Sequence, residues 1–91
     1  MSGSTLPELR KLARGRIRNG DLPCTESPRI WAGRGAGERC GVCPEAITPE
    51  QTAYEVEVRA DGIVERSMFF HRLCHTAWQL ECDEQPRAST G

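Results

Sequence analysis

Cys40-Gly41-Val42-Cys43 and His71-Arg72-Leu73-Cys74 decide the fold, and 27 residues lie between them. Two ligands separated by two residues reach one ion from a tight turn or a single helical turn, and thiolate with imidazole is the donor set that Zn2+ takes in a tetrahedron. One such pair would be ambiguous with a redox dithiol; two pairs complete a Cys3His site. The expected ligands are therefore Cys40, Cys43, His71 and Cys74, holding one structural Zn2+. Four protein ligands leave no open position for water, so the reading is a closed site in a chain that is not an enzyme.

The residues between the pairs suit this closure. From Thr52 the pattern alternates, with Tyr54, Val56 and Val58 on one side and Glu55, Glu57 and Arg59 on the other, as in a half-buried strand. Asp61-Gly62 is a hairpin signal because both central positions of a type I′ turn need positive φ. The return strand runs from about Ile63 to Phe70, with Val64, Met68 and Phe70 expected on the buried face and Arg66 interrupting it. A helix from Arg72 to Glu84 follows, its stripe read as Leu73, Ala77 and Leu80 with Trp78 beside it. Glu81, Asp83 and Glu84 oppose its dipole, which predicts a frayed last turn. His71 and Cys74 then share one side of its first turn. Knuckle, hairpin and helix in this order are a treble-clef-like arrangement, in a small α+β domain stabilised by metal.

Upstream, Thr5-Leu-Pro-Glu8 fits a capping box with Pro7 tolerated in the first turn. Leu6, Leu9, Leu12, Ala13 and Ile17 recur at helical spacing among Arg10, Lys11, Arg14 and Arg18, until Asn19-Gly20 supplies a stop. This basic amphipathic helix either packs on the zinc module or a second copy, or binds nucleic acid or an acidic partner. Residues 21–39 hold Pro23, Pro28, Gly33, Gly35 and Gly37 and read as a linker loop that Trp31 pins to the module. The glycine run 33–37 lacks the flanking elements of a phosphate cradle, so its expected role is close backbone approach to the knuckle. The segments are thus 1–20 helix, 21–39 linker, 40–84 zinc-binding module and 85–91 disordered tail.

Composition sets limits. Hydrophobic residues are 37% and aromatics 5% of 91 residues, a thin core for which metal is the natural supplement. The first residues carry no export signal and no stretch nears the roughly 18 apolar residues of a membrane helix, so a reducing cytoplasm is the expected setting. Net charge is −1, arranged as +4 over residues 1–39 and −5 over 40–91. An acidic metal module is a poor phosphate reader. Of the remaining candidates, His75 is a substitute ligand that its place on the helix points away, Cys24 an exposed thiol, and Cys82 a small buried side chain.

The run from Gly35 through Cys40-Gly-Val-Cys43, Ile47, Tyr54-Glu-Val56 and Phe70-His71-Arg-Leu-Cys74 to Trp78 resembles a family of small uncharacterised bacterial zinc-binding proteins with a C-x-x-C and an H-x-x-C-x-x-x-W pattern. The resemblance implies zinc and a small module, with no established activity. More distantly, the spacing is similar to the poly(ADP-ribose) polymerase-type zinc finger; there the hairpin grips DNA, whereas Glu55, Glu57 and Asp61 make this one acidic. The function these residues point to is a small cytoplasmic interaction or regulatory protein, non-catalytic, with a protein partner preferred. The alternatives are a nucleic-acid-binding finger using the N-terminal helix, and a thiol redox sensor in which Cys40 and Cys43 release zinc on oxidation.

Overall fold

The computed structural model describes residues 5–24, 29–60 and 63–84, with the side chains of residues 59, 60 and 65 left aside. Its elements are α1 (Leu6–Arg18), β1 (Ile30–Arg34), β2 (Thr52–Ala60), β3 (Ile63–His71) and α2 (Arg72–Asp83). The strands form one antiparallel sheet in the order β1-β2-β3. The Asp61-Gly62 turn and the 85–91 tail lie outside the described residues.

At the start of α1 the expected capping box is present, with the Thr5 N–H donating to the Glu8 carboxylate at 3.0 Å. At its end Asn19 is the cap and Gly20 takes φ +82°, a left-handed turn that costs glycine little. Leu9 and Ala13 are buried in the same core as Val42, Ile47, Val56, Phe70, Ala77 and Trp78, so the helix packs in cis on the body formed by residues 40–84. Leu12, expected on that stripe, is exposed.

The hairpin pairs Tyr54 with Phe70, Val56 with Met68 and Val58 with Arg66, then shifts so that Arg59 faces Val64. Residue 65 is the extra one, a bulge that moves the rest of β3 out of phase by one. This corrects the expectation for Val64, which is exposed, while Val56, Val58 and Phe70 are buried as read. The 21–39 segment also needs correction. Ile30–Arg34 form an edge strand, because glycines that would weaken a central strand are tolerated where only one side is paired. Trp31 is 47% exposed and pins nothing to the core. Pinning falls instead to Leu22, which is buried, and to the Pro23 carbonyl, which accepts from Trp78 Nε1 at 2.9 Å.

On α2 the buried residues are Cys74, Ala77, Trp78 and Glu81, one position round from the expected stripe, and Leu73 is exposed. Cys74 and Glu81 are apolar-facing residues that a hydrophobicity count passes over. Glu81 is 1% exposed and receives Arg10 Nε at 2.7 Å and Arg14 Nε at 2.9 Å, while Arg10 Nη2 reaches Glu84 at 2.7 Å. The acidic end of α2 is therefore not a frayed turn but the anchor for the basic face of α1, and the helix stays regular to Asp83.

The Arg14 hydrogen bond, seconded by Arg10 and outweighing the opposite push of burial, holds the Glu81 carboxyl below its ordinary 4.5. A folded-state pKa lowered in this way contributes stability above the unfolded value, and the contribution disappears as pH falls from about 4.5 through the lower folded value. Glu81→Gln is expected to lower the thermal midpoint at pH 7 by on the order of 5 °C and to lose less on acidification than the parent. Thermal melts of both proteins between pH 7 and pH 3 check this, since any acid effect at the metal ligands is common to the two.

Two glycines mark close backbone approach. A Cβ on Gly35 would run into the Thr48 carbonyl oxygen and, at 2.8 Å, the Ile47 side chain, whereas one on Gly33 would meet nothing within 4 Å. Gly35→Ala is expected to destabilise by about 1–3 kcal/mol, as overpacking does. Gly33→Ala should stay within about 0.5 kcal/mol, the scatter of ordinary surface changes; urea unfolding distinguishes the two. The glycine run is no phosphate cradle either, because the Gly35 and Gly37 amides donate to Gln51 and Ile47 carbonyls at 2.9 and 2.8 Å.

Candidate metal centre

Cys40, Cys43, His71 and Cys74 come together as expected, with their four ligand atoms within 4.8 Å of one another. Each is placed by a different local cause. Residues 38–47 fold into a small loop whose arms pair through Arg39 and Ala46, and the Ile47 amide donates to the Glu38 carbonyl at 2.8 Å. This presents Cys40 and Cys43 from one knuckle. The Gly41 amide donates to the Phe69 carbonyl at 2.8 Å, clamping the knuckle to the outer side of β3. Gly41 is required there, because a Cβ would lie 2.6 Å from the Phe70 ring. Arg16 Nε donates to the Val42 carbonyl at 2.9 Å and ties α1 to the same loop. His71 ends β3 as the cap residue of α2, and Cys74 stands in the first turn of that helix, where the dipole favours a thiolate.

His71 shows which nitrogen would ligate. Nδ1 faces the sulfurs, 3.3 Å from Cys43 and 3.7 Å from Cys74, and Nε2 lies 3.2 Å from the Ala46 carbonyl. A carbonyl accepts only, so Nε2 carries the proton and Nδ1 turns its lone pair to the sulfurs. An outer hydrogen bond of this kind fixes tautomer and ring orientation at metal-bound histidines.

The charges of the cluster also fit a cation. The hydrogen bond from Cys74, with amides of Val42, His71 and Cys43, draws the Cys40 thiol down to about 4. Cys74 is pushed up, first by that same bond and then by burial, and burial raises Cys43. Three buried sulfurs this close cannot all ionise on the protein's resources alone, whereas a divalent ion between them stabilises every thiolate. The residues therefore fit Zn2+, with Cys40, Cys43 and Cys74 through Sγ and His71 through Nδ1.

His75 is not part of the cluster. It sits among Tyr54, Phe70 and Trp78, with ring centroids 5.2, 6.1 and 5.9 Å away, and Phe70 stacks on Trp78 at 4.7 Å. Burial lowers its pKa, so it serves as a neutral aromatic spacer behind the site.

The remaining two cysteines overturn the expectation of independent thiols. Cys24 and Cys82 form a disulfide with Cα atoms 5.4 Å apart, closing 58 residues of sequence, and Cys40, Cys43 and Cys74 remain free. Once three of five cysteines go to metal an even pair is left, which is the signal the spacing analysis passed over. The Glu81 anchor gave no such signal, since an acid in a last turn ordinarily faces water. Among the described residues no helix is long and apolar enough to cross a membrane. Comparison with protein-family models, curated proteins and solved structures gives no match.

Proposed function

We propose that this chain is a non-catalytic zinc module: one structural Zn2+ on Cys40, Cys43, His71 and Cys74 closes a treble-clef-like finger that serves as a docking body for a protein partner; the Cys24–Cys82 disulfide speaks against the reducing cytoplasm expected from the sequence. The observation that carries the metal is the convergence of four donor atoms with His71 Nδ1 already aimed inward by the Ala46 carbonyl. Knuckle, hairpin and helix follow one another as in a treble clef, and the resemblance to small bacterial zinc-binding proteins supports the same assignment. With every coordination position taken by protein, the metal polarises no water, and its binding energy is folding energy.

A protein partner is preferred over nucleic acid for a reason internal to the fold. Arg10, Arg14 and Arg16, three of the five basic residues of α1, are engaged by Glu81, Glu84 and the Val42 carbonyl. That leaves Lys11 and Arg18 for phosphates, while residues 40–91 are acidic. Elemental analysis of the purified chain is expected to give one zinc per chain. Titration with fluorescent duplex and single-stranded DNA is expected to show no binding even at low salt. Tight binding with a steep salt dependence would replace the protein partner by nucleic acid.

A further inference from the structure

Strand β1 has one partner and one open side. The Glu57 amide donates to the Arg29 carbonyl at 3.1 Å and the Gly35 amide to the Gln51 carbonyl, so residues 29, 31, 33 and 35 turn their backbone groups toward β2. In an antiparallel ladder the alternate residues turn theirs away. Ile30, Ala32 and Arg34 therefore present N–H and C=O groups outward, and these have no partner among the described residues. Short edges are ordinarily blunted by proline, bulges or inward charges. Ile30–Arg34 contains no proline, and the bulge of this sheet lies at the far strand.

The sheet face beside that edge is shaped as well as open. Trp31 pairs with Glu55, which pairs with Phe69, so these three stand side by side on the face opposite the one bearing Val56 and Phe70. They line a groove of about 440 Å³ together with Glu38 and Glu57, and the bare Gly33 position leaves room next to the indole. The carboxylate residues Glu38, Glu55 and Glu57 border it, while Arg34 lies with Ile30 and Ala32 on the opposite face of the strand. An exposed tryptophan rimmed by carboxylates attracts a cation over its face, where the ring quadrupole and the negative charges act together.

We infer that the β1 edge and this groove are a binding site for an extended basic peptide, which adds as a fourth strand along Ile30, Ala32 and Arg34. Alternate residues of an added strand point to one face. One lysine or arginine of the peptide then lies over Trp31 between Glu55 and Glu38. This deepens the protein-docking reading and rests on it, naming the surface and the partner's chemistry.

The test uses the zinc-loaded full chain and a lysine–valine alternating heptapeptide, with a glutamate–valine peptide as counterpart. The expected result is at least tenfold tighter binding of the basic peptide, with the Ile30, Ala32 and Arg34 amides gaining protection from hydrogen exchange. Trp31→Ala and Glu55→Gln should each weaken binding about fivefold or more while zinc content and thermal midpoint stay unchanged. N-methylation of those peptide residues that would pair with β1 should abolish binding, and methylation of the alternate ones should not. Equal binding of the two peptides, protection elsewhere, indifference to Trp31→Ala, or self-association of the chain through this edge in place of peptide capture would each overturn the inference. Such a result, with one zinc per chain retained, would leave the zinc-module reading standing; absence of zinc would strike that reading instead.

Discussion

Stripping the metal from the zinc-loaded chain with a strong chelator is expected to unfold it. Structural zinc in small modules contributes about 10–16 kcal/mol of apparent binding energy at neutral pH, against a net stability of about 5–15 kcal/mol for a whole domain. The buried set on which this chain depends includes the ligands themselves, since Cys40, Cys43 and Cys74 sit in one apolar cluster with Val42, Ile47, Phe70 and Trp78. Without the ion, three sulfurs crowd one another in that cluster. Far-ultraviolet circular dichroism should lose its ordered signal in one cooperative step, and the environment of Trp78 should be lost with it. Cys43→Ser and Cys74→Ser are expected to lower zinc affinity by a hundredfold or more. His71→Cys should keep the metal as a four-thiolate site while giving up the hydrogen bond to Ala46. A chain that melts at the same temperature with and without chelator would remove the metal from the account of this fold.

Removal of the Cys24–Cys82 disulfide is the second large effect. A cross-link closing 58 residues restricts the unfolded chain by about 4 kcal/mol in the loop-entropy account. An ion bound as proposed would already join residues 40 and 74 within that loop, so the expected cost of Cys24→Ser together with Cys82→Ser in the zinc-loaded protein is about 3 kcal/mol. For a domain of this size that lowers the melting midpoint by on the order of 15 °C. The loss should be local first, because the bond fastens the residues after α1 to the last turn of α2 beside the Pro23–Trp78 hydrogen bond. Thiol alkylation of the folded, zinc-loaded protein should label neither cysteine before reduction and both after. Labelling of both without reductant, or a variant that melts with the parent, would show that the bond contributes nothing to the native protein.

The convergence of Cys40, Cys43, His71 and Cys74 is legible in the linear chain because coordination imposes spacing: two such pairs can meet on one ion in few ways, whatever surrounds them. The alternation of Tyr54, Val56 and Val58 was readable for a similar reason, since pleating has a period of two. Where the reading failed, the deciding contact lay far along the chain. The bulge at residue 65 displaced Val64 through pairing with β2, and Ile30–Arg34 became a strand only because β2 offered an edge. Trp31 is expected against the module because indoles bury large areas, yet on the edge strand β1 it stands half exposed.

The amino-acid sequence alone thus determined the donor set, the hairpin and the two helices, because each depends on residues within a few positions of one another or on the paired spacing of metal-type donors. The tertiary structure decided the rest: that Glu81 takes Arg10 and Arg14, that Cys24 finds Cys82, and that His71 turns Nδ1 inward. Those three are pairings across 71, 67 and 58 positions or the choice of one ring nitrogen by a remote carbonyl. No local propensity encodes them; they exist only once packing has brought the partners within hydrogen-bonding or bonding distance.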